Sequence, residues 1–164
     1  MAAAARERSS VGTGAGNDNL DLEAQLCFAL YSATLALGKA YAPILAELRL
    51  TYPQYLVMLV LWQEDGLTVR ALGERLHLNS GTLTPMLKRM EQAGLVRRTR
   101  DKQDERLVRT ELTEAGRGLR ARALHVPCKI AEIMGFSVDR LIKLKDELQE
   151  IRQSLEAAGA ASSD

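Results

Sequence analysis

The chain has 164 residues, 46% hydrophobic and 26% charged, with 22 Lys and Arg against 21 Asp and Glu for a net charge of +1. That length holds one ordinary domain, the composition excludes global disorder, and the charge balance excludes a histone-like polybasic protein. The longest apolar run, Tyr55 to Trp62, has eight residues, far short of the roughly 20 that span a bilayer. Met1 to Asn19 lacks the apolar core of a signal peptide, so a cytoplasmic protein with reduced cysteines is expected, not associated with membranes. Two Cys and two His without metal-ligand spacing predict neither a metal site nor a cofactor.

In chain order, residues 1–19 read as a disordered tail of small residues; the glycines at 12, 14 and 16 lack the spacing and preceding strand of a dinucleotide fingerprint. Leu22, Leu26, Leu30, Ala33 and Leu37 give a first helix an apolar stripe, capped by Asp18 or Asn19 and kinked or ended at Pro43. Thr51 to Gln54 has capping-box spacing and opens a second helix through Trp62, stopped by Asp65-Gly66. Thr68 caps a short third helix, Val69 to Leu76. Asn79 and Ser80 cap a fourth, which ends near Ala93 with Gly94 as its stop. Pro85 lies inside that helix, and Gly81, four residues earlier, is expected to relieve the crowding of its ring. Leu95 to Arg100 and Leu107 to Leu112 flank a polar tip, Asp101 to Glu105, as a two-stranded hairpin. Thr113 caps a fifth helix, Glu114 to about Val126, followed by Pro127. Ser137 caps a last one with Leu141, Leu144, Leu148, Ile151 and Leu155 in alternating steps, and residues 157–164 read as a second tail.

The order is that of a mainly α winged helix-turn-helix with a helical dimerisation region. The expected boundaries are a single domain over 20–156, with the winged helix-turn-helix at about 52–112 and dimerisation helices at 20–50 and 113–156.

Lys88 to Arg109 carries eight basic and four acidic residues, +4 in a chain whose remainder is −3. A charge run is commonly only a solvated face. Its coincidence with the second helix of the helix-turn-helix and with the hairpin points instead to a phosphate backbone. Asn79, Ser80, Gly81, Thr82 and Thr84 at the start of that helix are small and polar enough to approach base edges.

All four tyrosines lie between positions 31 and 55, just after Cys27. A lone Cys among apolar neighbours is commonly a small buried hydrophobe, and Tyr commonly packs. Several phenols near one thiol favour another reading, since their O–H groups can stabilise a thiolate in an apolar surround. Tyr31, four residues after Cys27, shares its helix face.

These residues carry a resemblance. From about Leu20 to Leu155 the chain resembles MarR-family transcriptional regulators, and among them the OhrR-type organic-hydroperoxide sensors. The blocks are Gln25 to Tyr31, Leu50 to Leu56, Leu78 to Met90 and Asp104 to Arg106. The resemblance implies a homodimeric repressor of a peroxide-detoxifying gene. On double-stranded operator DNA, a recognition helix enters the major groove and a wing the minor groove; organic hydroperoxide is the inducer. It implies that Cys27 is the redox sensor, that Tyr41 and Tyr52 hydrogen-bond its sulfur, with Tyr52 from the other subunit, and that Tyr31 supports them. Ser80, Thr82, Thr84, Lys88 and Arg89 fall on the DNA-reading helix. Arg106 matches the wing-tip arginine and Asp104 the acid that orients it. Cys128 lies in the region of the resolving cysteine of two-cysteine members, about a turn nearer the proline than the family pattern. Two competing classes are a repressor that binds a phenolic ligand non-covalently and a thiol peroxidase; neither a catalytic Arg nor a His lies near Cys27 in sequence, so an enzyme is not expected.

Overall fold

The computed structural model describes residues 20–101, 104 and 106–161. The expected N-terminal tail with its glycines, the caps Asp18 and Asn19, and Lys102 lie outside them. The elements are α1 (Leu26–Ala46), α2 (Tyr52–Gln63), β1 (Leu67–Thr68), α3 (Val69–Leu76), α4 (Ser80–Gln92), β2 (Val96–Arg100), β3 (Val108–Leu112), α5 (Glu114–Ala123), α6 (Val126–Met134) and α7 (Val138–Ala161). The three strands form an antiparallel sheet in the order β1-β3-β2. Two units divide between Lys39 and Ala40.

The first unit holds a single 3-10 turn at Leu22–Ala24 and most of α1. The 3-10 turn is a departure from the expected continuous helix: the Asp21 side chain accepts from Glu23 N at 3.1 Å and caps it instead. Within this unit Leu22, Leu26, Tyr31 and Leu35 stay exposed.

The second unit contains the winged helix-turn-helix. Pro43 neither ends α1 nor separates it from its last turn, because Ile44 and Leu45 are buried directly after it and that packing outweighs one missing backbone bond. The Gln54 side chain accepts from Thr51 N at 2.9 Å, as the capping spacing predicts. The side chains of Thr68, Asn79 and Thr113 cap α3, α4 and α5. On α4 the apolar residues Leu83, Met86, Leu87 and Met90 are buried while Ser80, Thr82, Thr84, Lys88 and Arg89 are exposed, the one-sided pattern of an amphipathic helix. A Cβ at Gly73 would lie 2.6 Å from Leu78 O, so only glycine lets the chain turn this closely between α3 and α4. The role expected of Gly81 is not seen: a Cβ there would meet Asn79 Oδ1 at 3.3 Å and not the Pro85 ring. The small residue serves the cap.

Two further expectations are corrected. The expected fifth helix, Glu114 to about Val126, ends at Ala123, and a further helix, α6, follows it with Pro127 in its first turn, where the missing N–H is harmless. The last helix runs through Ala161, past the expected start of the tail; Ala157, Ala158 and Ala161 are strong helix formers. The short β1 escaped the sequence reading, since two residues cannot show a strand period.

Candidate nucleic-acid interface and thiol-tyrosine region

The exposed face of α4 and the β2–β3 wing belong to one surface. Ser80, Thr84 and Arg106 line a common open groove of about 750 Å³, together with Arg98 and with Arg70 and His77 of the α3 side. Thr82, Lys88 and Arg89 are exposed on α4 but do not line the groove. Asn79 Oδ1 accepts from Thr82 N at 2.9 Å and fixes where the helix starts.

The basic residues of this surface are not equivalent. Arg98 Nε is held by Glu91 at 3.0 Å, Arg97 Nη2 by Glu111 at 2.7 Å, and Arg109 pairs with Asp101. Among the described residues, Lys88, Arg89, Arg100 and Arg106 have no carboxylate within ion-pair distance. Those four supply the available positive charge among the described residues of α4 and the wing. Asp104 Oδ1 accepts from Arg106 N at 3.0 Å, a contact to the backbone and not to the guanidinium, which has no carboxylate partner among the described residues. Sequence reasoning missed Arg70 and His77, since nothing local says that α3 and the wing share a groove.

Of the thiol and tyrosine residues, Cys27 and Tyr31 are exposed on α1 in the first unit. In the second unit the Tyr41 and Tyr52 rings lie 4.5 Å apart, and Tyr55 stands 6.0 Å from Tyr41. Tyr55, which the sequence reading did not single out, is buried between this pair and Trp62. Burial pushes the Tyr41 hydroxyl up to about 12, with help from Tyr52 and Tyr55; burial also raises Tyr52 and Tyr55. All three are therefore neutral phenols at neutral pH, with protons to donate. Cys128 is exposed in the first turn of α6.

The fold thus favours the neutral form of Tyr41. Its contribution to stability is whole below the ordinary tyrosine value of 10 and is lost as pH rises from 10 towards 12. Tyrosinate absorbance of the native protein should show a phenol ionising near the top of that range, absent from Tyr41→Phe. Four tyrosines titrating together at their ordinary value would contradict the packing.

The MarR family profile matches residues 50–108, the span from just before α2 to the first residue of β3. The chain is 47% identical over 156 residues to the HTH-type transcriptional regulator TtmR of Methylorubrum extorquens, covering 94% of this chain and 80% of that protein. It is also 47% identical over 138 residues to the organic hydroperoxide resistance transcriptional regulator of Bacillus subtilis, covering 84% and 94%. The chain belongs to the MarR family of transcriptional regulators. Among solved structures, reduced AbfR bound to DNA superposes with a TM-score of 0.75 at 34% identity, covering 85% of this chain and 96% of that one. In this regulator, as in that fold, α3 and α4 are the helix-turn-helix and β2–β3 the wing. Among the described residues no helix is long and apolar enough to cross a membrane.

Proposed function

We propose that this MarR-family regulator is a redox-switched repressor, released from operator DNA when organic hydroperoxide oxidises Cys27. The observation that carries this reading is the cluster of neutral phenols, Tyr41 against Tyr52, in a chain 47% identical to a hydroperoxide-resistance regulator. Tyr41 and Tyr52 pack ring against ring within one chain, so a thiol from a partner subunit that approaches one phenol approaches the other. Tyr52 then comes from the other subunit, as the resemblance implies, with Tyr41 beside it. Ser80, Thr82, Thr84, Lys88 and Arg89 lie on the helix that enters the major groove, with Lys88 on phosphate, and Arg106 enters the minor groove. The Cys27 thiolate attacks the peroxide O–O bond; the sulfur is oxidised to a sulfenic acid and the peroxide leaves as its alcohol after taking a proton. Cys128 of the partner, or a small thiol, then displaces water from the sulfenic acid to form a disulfide. The test is a gel shift on the DNA just upstream of the neighbouring gene, with and without cumene hydroperoxide. Release by peroxide and recovery with a thiol reductant are expected; binding that peroxide leaves untouched would end the proposal.

A homodimer is part of the same reading. On α7 alone, Val138, Ile142, Leu144, Leu148 and Leu155 are exposed, as are Leu22, Leu26, Tyr31 and Leu35 in the first unit. A soluble monomer seldom leaves that much large apolar surface uncovered, and a twofold partner covers both stretches symmetrically. Sedimentation at micromolar concentration should give a dimer; a monomer there would contradict it.

A further inference from the structure

Arg109 counts as one of the basic residues of the reading surface, yet its hydrogen bonds point elsewhere. It sits on β3, opposite Thr68 of β1 and Thr99 of β2. Its Nε donates to Asp101 Oδ2, and its Nη1 donates at 2.9 Å to the carbonyl of Gly66, in the turn between α2 and β1. Asp101 is only 8% exposed, so its charge needs this partner. The other Asp101 oxygen accepts from Asp104 N at 3.2 Å, and Asp104 in turn accepts from Arg106 N. At the near end, Asp65 Oδ1 accepts from Gly66 N and from Leu112 N, each at 2.8 Å, and its Oδ2 from Arg117 of α5 at 2.7 Å. Every link from the α2–β1 turn to the wing tip is a hydrogen bond to a carboxylate or carbonyl.

We propose that Arg109 is a positioning residue, a latch that ties the base of the wing to the Gly66 carbonyl and, through Asp101 and Asp104, sets the pose of Arg106 for the minor groove. This rests on the reading that Arg106 enters DNA. A two-stranded ribbon is marginal by itself, and a wing whose tip wanders must be ordered each time it binds. The latch holds that order before DNA arrives. Arginine suits the task because its planar fork spans two acceptors in different directions, which the single ammonium of lysine does not.

The experiment separates a latch from a phosphate contact. Replacing the pair together, Asp101→Asn with Arg109→Gln, leaves net charge unchanged. The probe is a duplex enriched by the wild-type protein from a random-sequence pool, with affinity measured across a salt series. About tenfold weaker binding is expected, with the salt slope of the wild type, because no phosphate contact is lost. Adding Arg106→Ala to the pair variant should weaken binding no further than Arg106→Ala alone, the non-additivity of residues acting as a unit. Arg109→Lys, a milder change should the pair variant fail to fold, keeps the charge and should still weaken binding. Wild-type affinity for Arg109→Lys, or a pair variant whose salt slope falls by about one, would overturn the proposal. If Arg106→Ala itself leaves binding intact, the DNA reading of the wing fails. The latch is then read in the free protein, where amide exchange at Asp101, Asp104 and Arg106 should quicken in the pair variant; unchanged exchange would overturn it independently.

Discussion

Arg106→Ala is expected to weaken operator binding by tenfold or more, with the loss concentrated on the bases beneath the wing. Arg106 is exposed, has no carboxylate partner among the described residues and lines the groove that Ser80 and Thr84 share. A free guanidinium is attracted to the enhanced negative potential of a narrow minor groove, so its removal relaxes selectivity for sequences that narrow there. A base-reading arginine is worth about 1–3 kcal/mol, or roughly five- to 150-fold. Lys88→Ala should act differently. On the exposed face of α4 and without a carboxylate partner among the described residues, it is placed for phosphate, so its loss should weaken all duplexes by a similar factor and lower the salt slope by about one. Fluorescence anisotropy on matched and scrambled duplexes distinguishes the two; unchanged affinity in both variants would mean that this surface does not meet DNA.

The helix-turn-helix was legible because its signals are local: Thr68, Asn79 and Thr113 are caps whose side chains do what their residue types predict, and the α4 stripe has helical period. The failures share a physical cause. Pro43 read as a kink or an end and Pro127 as the residue after a helix, yet Pro43 sits inside α1, where Ile44 and Leu45 pack, and Pro127 stands in the first turn of α6. The charge count treated eight basic residues alike. Which of them are neutralised depends on Glu91, Asp101 and Glu111, which only the fold brings beside Arg98, Arg109 and Arg97. Asp65 read as a helix stop, although its two oxygens join the α2–β1 turn to β3 and α5 across some fifty positions of sequence. Tyr41 and Tyr52 could be grouped by closeness in sequence, but their stacking and the burial of Tyr55 behind them could not.

Cys27→Ser should bind DNA as wild type does and stay bound in peroxide. The serine hydroxyl keeps the shape of the site but is a far weaker nucleophile than a thiolate, so the O–O bond survives. In the proposed switch, the phenols are the reason for this thiol to be singled out. A thiolate needs hydrogen-bond donors, and Tyr41, pushed up to about 12 by burial, remains a donor at any pH at which the protein works. Tyr41→Phe and Tyr52→Phe should therefore raise the thiol pKa and slow oxidation without loss of DNA binding, measured as the rate of sulfenic acid trapping across pH. In the proposed switch, the oxygen gained in the first step is small against the few kcal/mol that would separate two dimer states, so the proposed disulfide would complete the change. It would require the two Cα atoms to come within about 7 Å, moving the helices that carry them and with them the half-site spacing of the two α4 helices, roughly one DNA turn. Cys128→Ser keeps the oxidation of Cys27 and alters only the disulfide step, so it should still respond to peroxide but recover with different kinetics. A repressor that instead bound a phenolic inducer non-covalently would release DNA equally well with or without the Cys27 sulfur. Release of Cys27→Ser by peroxide at the wild-type rate would therefore refute the redox switch while leaving the DNA-reading surface intact.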